Sequence, residues 1–199
     1  MKTFKINFFK TALNFSFIVL LITNACAQSS DSKNTMAENN PKTKSVVEKP
    51  KIDIQTAIVS GNLEAVKQHI EAGTDINMKD PMSGSTPLIT AATFGKTAIA
   101  KSLIDANADP DLKNNEGSTA LHAAAFFCHI EIVQMLIDAG ADKNIKNNHG
   151  GTPRESVVVP FATMKPVYDL IQQQLEPFGS KLDYDDLERT RPIIAMMLQ

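Results

Sequence analysis

The sequence predicts an all-α solenoid of stacked helix-turn-helix units. Three observations carry this. Thr86, Thr119 and Thr152 lie at 33-residue intervals, each after Gly-Ser or Gly-Gly. The segment GSTPLITAATFGKTAIAKSLIDANADPDLKN (84–114) aligns without a gap on GSTALHAAAFFCHIEIVQMLIDAGADKNIKN (117–147). Within the aligned units the apolar residues fall on one helical face: Ile132, Val133, Leu136 and Ile137 in one, Ile99, Ala100, Leu103 and Ile104 in the unit before.

Each unit divides into a short Ala-rich helix and a longer amphipathic one. Ala91 and Ala92, then Ala123, Ala124 and Ala125, let the first helices of neighbouring units approach closely. Gly73 and Gly140 stand where the second helix must end in a left-handed residue, and Asn107 takes that place in the unit between. Polar turns follow: MKDPMSG (78–84), KNNEGS (113–118) and KNNHGG (146–151). The first carries one extra residue, which makes the Gly61–Gly95 interval 34.

The motifs TPLITAA (86–92), TALHAAA (119–125) and AGADKN (139–144) resemble the ankyrin-repeat family, over roughly residues 51–176. The resemblance implies repeats at about 51–80, 81–114, 115–147 and 148–176, with β-turn or hairpin tips, and a C-terminal helical cap at 177–199. The last repeat departs from the pattern. Arg154 replaces the core leucine, and Pro160 and Pro166 interrupt it. Val167, Leu170, Ile171 and Leu175 then form an amphipathic stripe over roughly 165–175. Pro192 is expected to start the final helical turns, with Ile193, Ile194, Met196 and Met197 against the preceding repeat.

The resemblance also implies a function: a non-enzymatic scaffold that binds another protein. In the family, two variable positions just before the inter-helix glycine face a concave groove. Thr93 and Phe94 fill them in the second unit, and Phe126 and Phe127 in the third; Ser60 and Pro160 are the counterparts of Phe94 in the first and fourth. Phe94, Phe126 and Phe127 are therefore the expected binding ridge, with Asn115, Glu116, Asn148 and His149 at the turn tips as its polar rim.

Residues 1–27 read as a secretory signal. Lys2, Lys5 and Lys10 precede an apolar run from Phe15 to Ile22, and Ala25, Cys26 and Ala27 follow. Two processing routes remain open. Cleavage after Ala27 leaves a soluble protein starting at Gln28. Alternatively, Ala25-Cys26 resembles a bacterial lipoprotein box with Cys26 lipidated, although Thr23 and Asn24 depart from it. Residues 28–50 carry little apolar content and two prolines, the composition of a flexible linker. The expected location is therefore beyond the inner membrane of a bacterium, periplasmic or lipid-anchored.

Composition narrows the chemistry. The whole chain has net charge −2, and removing residues 1–27 takes away three lysines and no acid, leaving −5. A mildly acidic, mixed surface argues against nucleic acid. There is no tryptophan and there are only two tyrosines, which does not suggest a carbohydrate binder. No cofactor is implied. Phosphate-loop, nucleophile-elbow and zinc-protease motifs are missing, and His69, His122, His129 and His149 form no evident metal set. His122 occupies the repeat's signature position, and His129 follows the inter-helix turn. His69 falls where later units have leucine, as in a capping repeat with a less buried outer face. Asp183, Asp185, Asp186 and Glu188 read as an acidic helix start.

Cys128 aligns with Gly95 at the inter-helix turn and has no second cysteine to pair with once Cys26 is lipidated or removed. Besides the scaffold reading, the sequence admits a periplasmic immunity or inhibitor protein acting on a toxin or hydrolase, and a redox protein using Cys128. It names neither the partner nor the oligomeric state.

Overall fold

The computed structural model describes residues 49–176 and 181–199. The expected signal sequence, Cys26, nearly all of the linker and the Pro177-Phe178-Gly179 segment lie outside the described residues. Those residues form helices and turns, with no strand among them.

Four inner helices line up along the stack: α1 (Ile54–Val59), α3 (Pro87–Thr93), α5 (Ala120–Phe126) and α7 (Pro153–Val158). The first three are each followed by an outer helix: α2 (Leu63–Glu71), α4 (Thr97–Asp105) and α6 (Ile130–Asp138). Local chemistry starts each inner helix. Thr86 and Thr152 cap α3 and α7 through their hydroxyls, Pro87 and Pro153 occupy the first helical position, and Asp53 caps α1. Ala91, Ala92, Ala124 and Ala125 are fully buried, as the close approach of α3, α5 and α7 requires. Val66, Ile99, Leu103, Ile132, Val133 and Leu136 form the buried face of the outer helices. Left-handed residues end those helices as expected, at Gly73 (φ +70°), Asn107 (+64°) and Gly140 (+83°).

The turns join the units by hydrogen bonds that recur with the repeat. The Asn115 amide side chain donates to Met82 O (2.8 Å), and Asn148 donates to Asn115 O (2.9 Å). Asn77 Oδ1 accepts from Asp109 N and Asp111 Oδ1 from Asp142 N, both at 2.9 Å. Gln55 Nε2 donates to Ser85 O (3.1 Å), and His122 Nε2 bonds Gly151 O (3.1 Å) from the equivalent position two units later.

The fourth unit is built differently. Its inner helix α7 is followed by α8 (Phe161–Leu175) and α9 (Tyr184–Met197). α9, rather than the stripe at 165–175, takes the outer-helix place: it pairs with α7 and packs on α6. α8 is an insertion where earlier units have only the short turns 60–62, 94–96 and 127–129.

The sequence expectations for this region are corrected accordingly. Leu170 is 43% exposed, and Tyr168 is the fully buried residue of α8, beside Val167 and Ile171. Pro192 does not start a helix but lies inside α9, as Pro166 lies inside α8. Both prolines sit on solvent-exposed positions, and so do Ala162 and Glu188, the residues whose carbonyls lose their helical N–H partner to proline. Ile193 and Met196 point outward at 40% and 62% exposure, while Ile194 is buried. The acidic start of α9 is as expected, with the Asp183 carboxylate capping Asp186 N (3.0 Å).

The insertion continues a series of contacts that runs through the stack. The ends of the last three inner helices are each met by a side chain from farther along the chain. At the end of α3 the His129 ring lies against Gly95, next to the Thr93 carbonyl. The Tyr168 hydroxyl donates to Phe126 O at 2.7 Å. Arg191 Nη2 donates to Val159 O at 2.6 Å and to Ser156 O at 3.0 Å, and its Nη1 reaches Tyr168 Oη at 2.8 Å. Residues 93, 126 and 159 are equivalent positions, so three different side chains fill one structural role.

This series also explains Cys128. Gly95 and Cys128 both have positive φ, +61° and +60°. A Cβ on Gly95 would lie 2.6 Å from His129 Cε1. Beyond Cys128 the next contact comes from Tyr168 on the insertion, and the thiol fills the space beside Leu187 O, at 3.8 Å. Strain and burial therefore oppose each other at this residue. A left-handed residue with a Cβ costs about 1–2 kcal/mol, and burying the thiol returns a similar amount, roughly 1–2 kcal/mol. Cys128→Gly is expected to stay within about 1 kcal/mol of the wild type in a urea melt, while Cys128→Ala, which keeps the strain and loses the sulfur, falls below it. An alanine variant as stable as the glycine one would show that the turn is not strained.

Candidate functional site

Phe94, Phe126 and Phe127 all sit at the C-terminal ends of inner helices. Phe94 is the residue that closes α3, Phe126 is the last residue of α5 and Phe127 closes it. All three are half-buried. The structure brings Phe126 and Phe127 together edge to face, with ring centroids 5.0 Å apart. Phe127 also stacks on the His129 ring at 6.2 Å.

Phe126 differs from the other two. Its ring packs against the core and lies 5.0 Å from Tyr168, and its carbonyl accepts the Tyr168 hydroxyl. The insertion α8 thus covers part of the expected ridge. Phe161 stacks on the far side of Tyr168 at 5.8 Å and meets Tyr184 edge on at 6.3 Å. The ridge is therefore continued by an aromatic group from the fourth unit.

The turn-tip residues form a connected row. Asn115 and Asn148 remain exposed, but their amide groups are committed to the preceding turn. Glu116 and His149 pair across the second and third tips at 3.4 Å, each about a third exposed. The first tip instead presents Met78 and Met82, exposed at 55% and 44%.

The histidines are structural joints. His122 is 4% exposed; its Nδ1 accepts from Thr119 N (3.2 Å), and burial holds its pKa below the usual 6.5. His69 is also buried, at 6%, with its ring bonded to Ile52 O (2.8 Å) and Thr74 Oγ1 (3.1 Å). The less buried outer face expected there is thus corrected: the ring ties residues 49–53 onto α2. No group of three or more metal-ligating side chains occurs among the described residues. Burial pushes the Cys128 thiol up to about 11, the opposite of the lowered value that a reactive thiol needs.

Sequence reasoning missed Tyr168 and Arg191. Arg191 is only 2% exposed, and it shares one face of α9 with Leu187, Ile194 and Leu198. A lone arginine on an apolar helical stripe was the available signal.

Residues 54–147 match the family model described as ankyrin repeats (3 copies). Protein phosphatase 1 regulatory subunit 27 of Homo sapiens and of Mus musculus is 42% identical over 63 residues, which is 32% of this chain and 40% of each relative. The chain thus spans well under half the length of these curated relatives. Among solved structures, the ankyrin repeat domain of Bcl-3, described as a unique member of the IkappaB protein family, superimposes with a TM-score of 0.50. It is 30% identical, and the match covers 59% of this chain and 50% of that one. The stacked inner and outer helices, the 33-residue spacing and these matches together make the fold an ankyrin-repeat solenoid.

Proposed function

We propose that this chain is a non-enzymatic scaffold of a bacterial cell envelope that binds a partner protein through the Phe94–Phe127 ridge and the adjoining turn tips. Ankyrin repeats mediate protein–protein interaction, and the curated relatives are regulatory subunits of an enzyme. The single observation that carries the site is that Phe94 and Phe127 remain half-buried although the units around them are fully stacked. Aromatic groups of this kind act as anchors in protein interfaces. Glu116 and His149 supply a polar edge at the turn tips. The envelope location rests on the sequence of residues 1–27 and the polar stretch after it.

Affinity capture from envelope extract with the full chain tests the site. Phe94→Ala and Phe127→Ala are expected to lower stability by no more than about 1–2 kcal/mol, less than the roughly 3–5 kcal/mol of a buried phenylalanine, and to lose the partner that the wild type captures. Phe126→Ala, which also strips the packing under Tyr168, is the more destabilising change. Two well-folded variants that retain the same partner would remove the ridge as the site. The anchor is tested separately. Cys26→Ser is expected to release the protein from the membrane fraction with its repeats folded, and an intact mass starting at unmodified Gln28 would exclude lipidation.

A further inference from the structure

We propose that the third repeat is locked to the fourth by a histidine joint that mild acid opens, loosening the surface that carries Phe126 and Phe127. The link to binding rests on the function proposed above; the joint itself does not. His122 holds the boundary with the fourth unit. A backbone N–H can only donate, so the Thr119 N–H contact at 3.2 Å requires a lone pair on His122 Nδ1, while Nε2 donates to Gly151 O at 3.1 Å. Protonation of Nδ1 would set two N–H groups against each other inside the core. The Thr119 hydroxyl, at 2.9 Å, can turn to accept, but the backbone N–H cannot.

The charges around His122 do not rescue the cation. Lys113, from the turn before α5, opposes it. Glu155 of α7 already accepts from Thr152 N at 2.7 Å. His129 is a different case: its ring lies against Gly95 at the end of α3, and a ring N–H directed at Thr93 O stays a donor when the ring is protonated, so acid does not open that contact. Asp186 of α9 and that carbonyl favour its charged form, but burial outweighs both and holds its pKa below 6.5. Arg191, the nearby cation, is engaged with Tyr168 and the carbonyls of α7.

The arrangement is particular to the third unit. Gln55, Ile89 and Glu155 occupy the His122 position elsewhere, and Asn62 and Lys96 occupy the His129 position. Gln55 makes the same inter-unit bond, to Ser85 O at 3.1 Å, with a group that does not titrate. Because folded His122 lies below the ordinary value of 6.5, its joint contributes in full above that pH and loses strength as pH falls below it.

Hydrogen exchange of the full chain at about pH 7.5 and about pH 5, corrected for intrinsic rates, tests this. Protection is expected to fall at least about tenfold in α5, α6 and α7, and less in α1 and α2. His122→Gln, copying Gln55, is expected to remove most of the loss in α7. An equal loss in every unit, or an unchanged loss in α7 of the folded variant, would overturn the proposal. If the variant does not fold, the wild-type comparison across units decides alone. The readout needs no partner, so failure of the binding reading leaves it intact.

Discussion

The last three inner helices end on carbonyls that a later part of the chain meets, and the departures of this solenoid from a plain repeat follow from how that contact is supplied. At Thr93 it is a histidine ring from the next turn. At Phe126 it is the phenol of Tyr168, delivered by an inserted helix. At Val159 it is a guanidinium from the last helix. A buried helix end without such a partner carries a desolvation cost of about 1–3 kcal/mol per group. The insertion is thus more than a decoration. It supplies the Tyr168 hydroxyl to Phe126 O where the fourth unit has no short inter-helix turn to do so, and α9 after it brings Arg191 to close the stack.

Arg191 is the unusual element of this arrangement. A guanidinium 2% exposed is tolerable only where its donors are used. Here two carbonyls from the C-terminal end of α7 and one phenol oxygen accept from it. The negative end of the helix dipole lies at the same place, which favours a cation there. The same cluster covers one edge of the aromatic ridge. Stability of the last unit and the shape of the proposed binding surface therefore rest on the same side chains.

Much of this is legible in the sequence, because the period places equivalent residues in equivalent environments. Alanines mark the inner helices, Thr-Pro marks their starts, and Asn107 stands where glycine normally turns the chain. The alignment of Cys128 with Gly95 marks the inter-helix turn, and both residues have positive φ there. Legibility fails where the period ends. Pro166 and Pro192 read as interruptions, but both lie at exposed positions, where a lost helical hydrogen bond costs least, and the helices continue. Leu170 outranks Tyr168 in hydrophobicity, yet Tyr168 is the buried one because its hydroxyl answers a carbonyl 42 residues away. No local pattern encodes that pairing. The proposed binding ridge follows from position in the repeat, whereas its partial cover by α8 depends on a tertiary contact.

A double-mutant cycle of Tyr168→Phe and Arg191→Met, followed by urea melts, addresses the closure of the fourth unit most directly. Each change removes a donor from a buried carbonyl, and each is expected to cost about 1–3 kcal/mol. If the two side chains act as one clip, the double variant loses less than the sum by about 1 kcal/mol or more. Strict additivity, or single variants as stable as the wild type, would contradict the account.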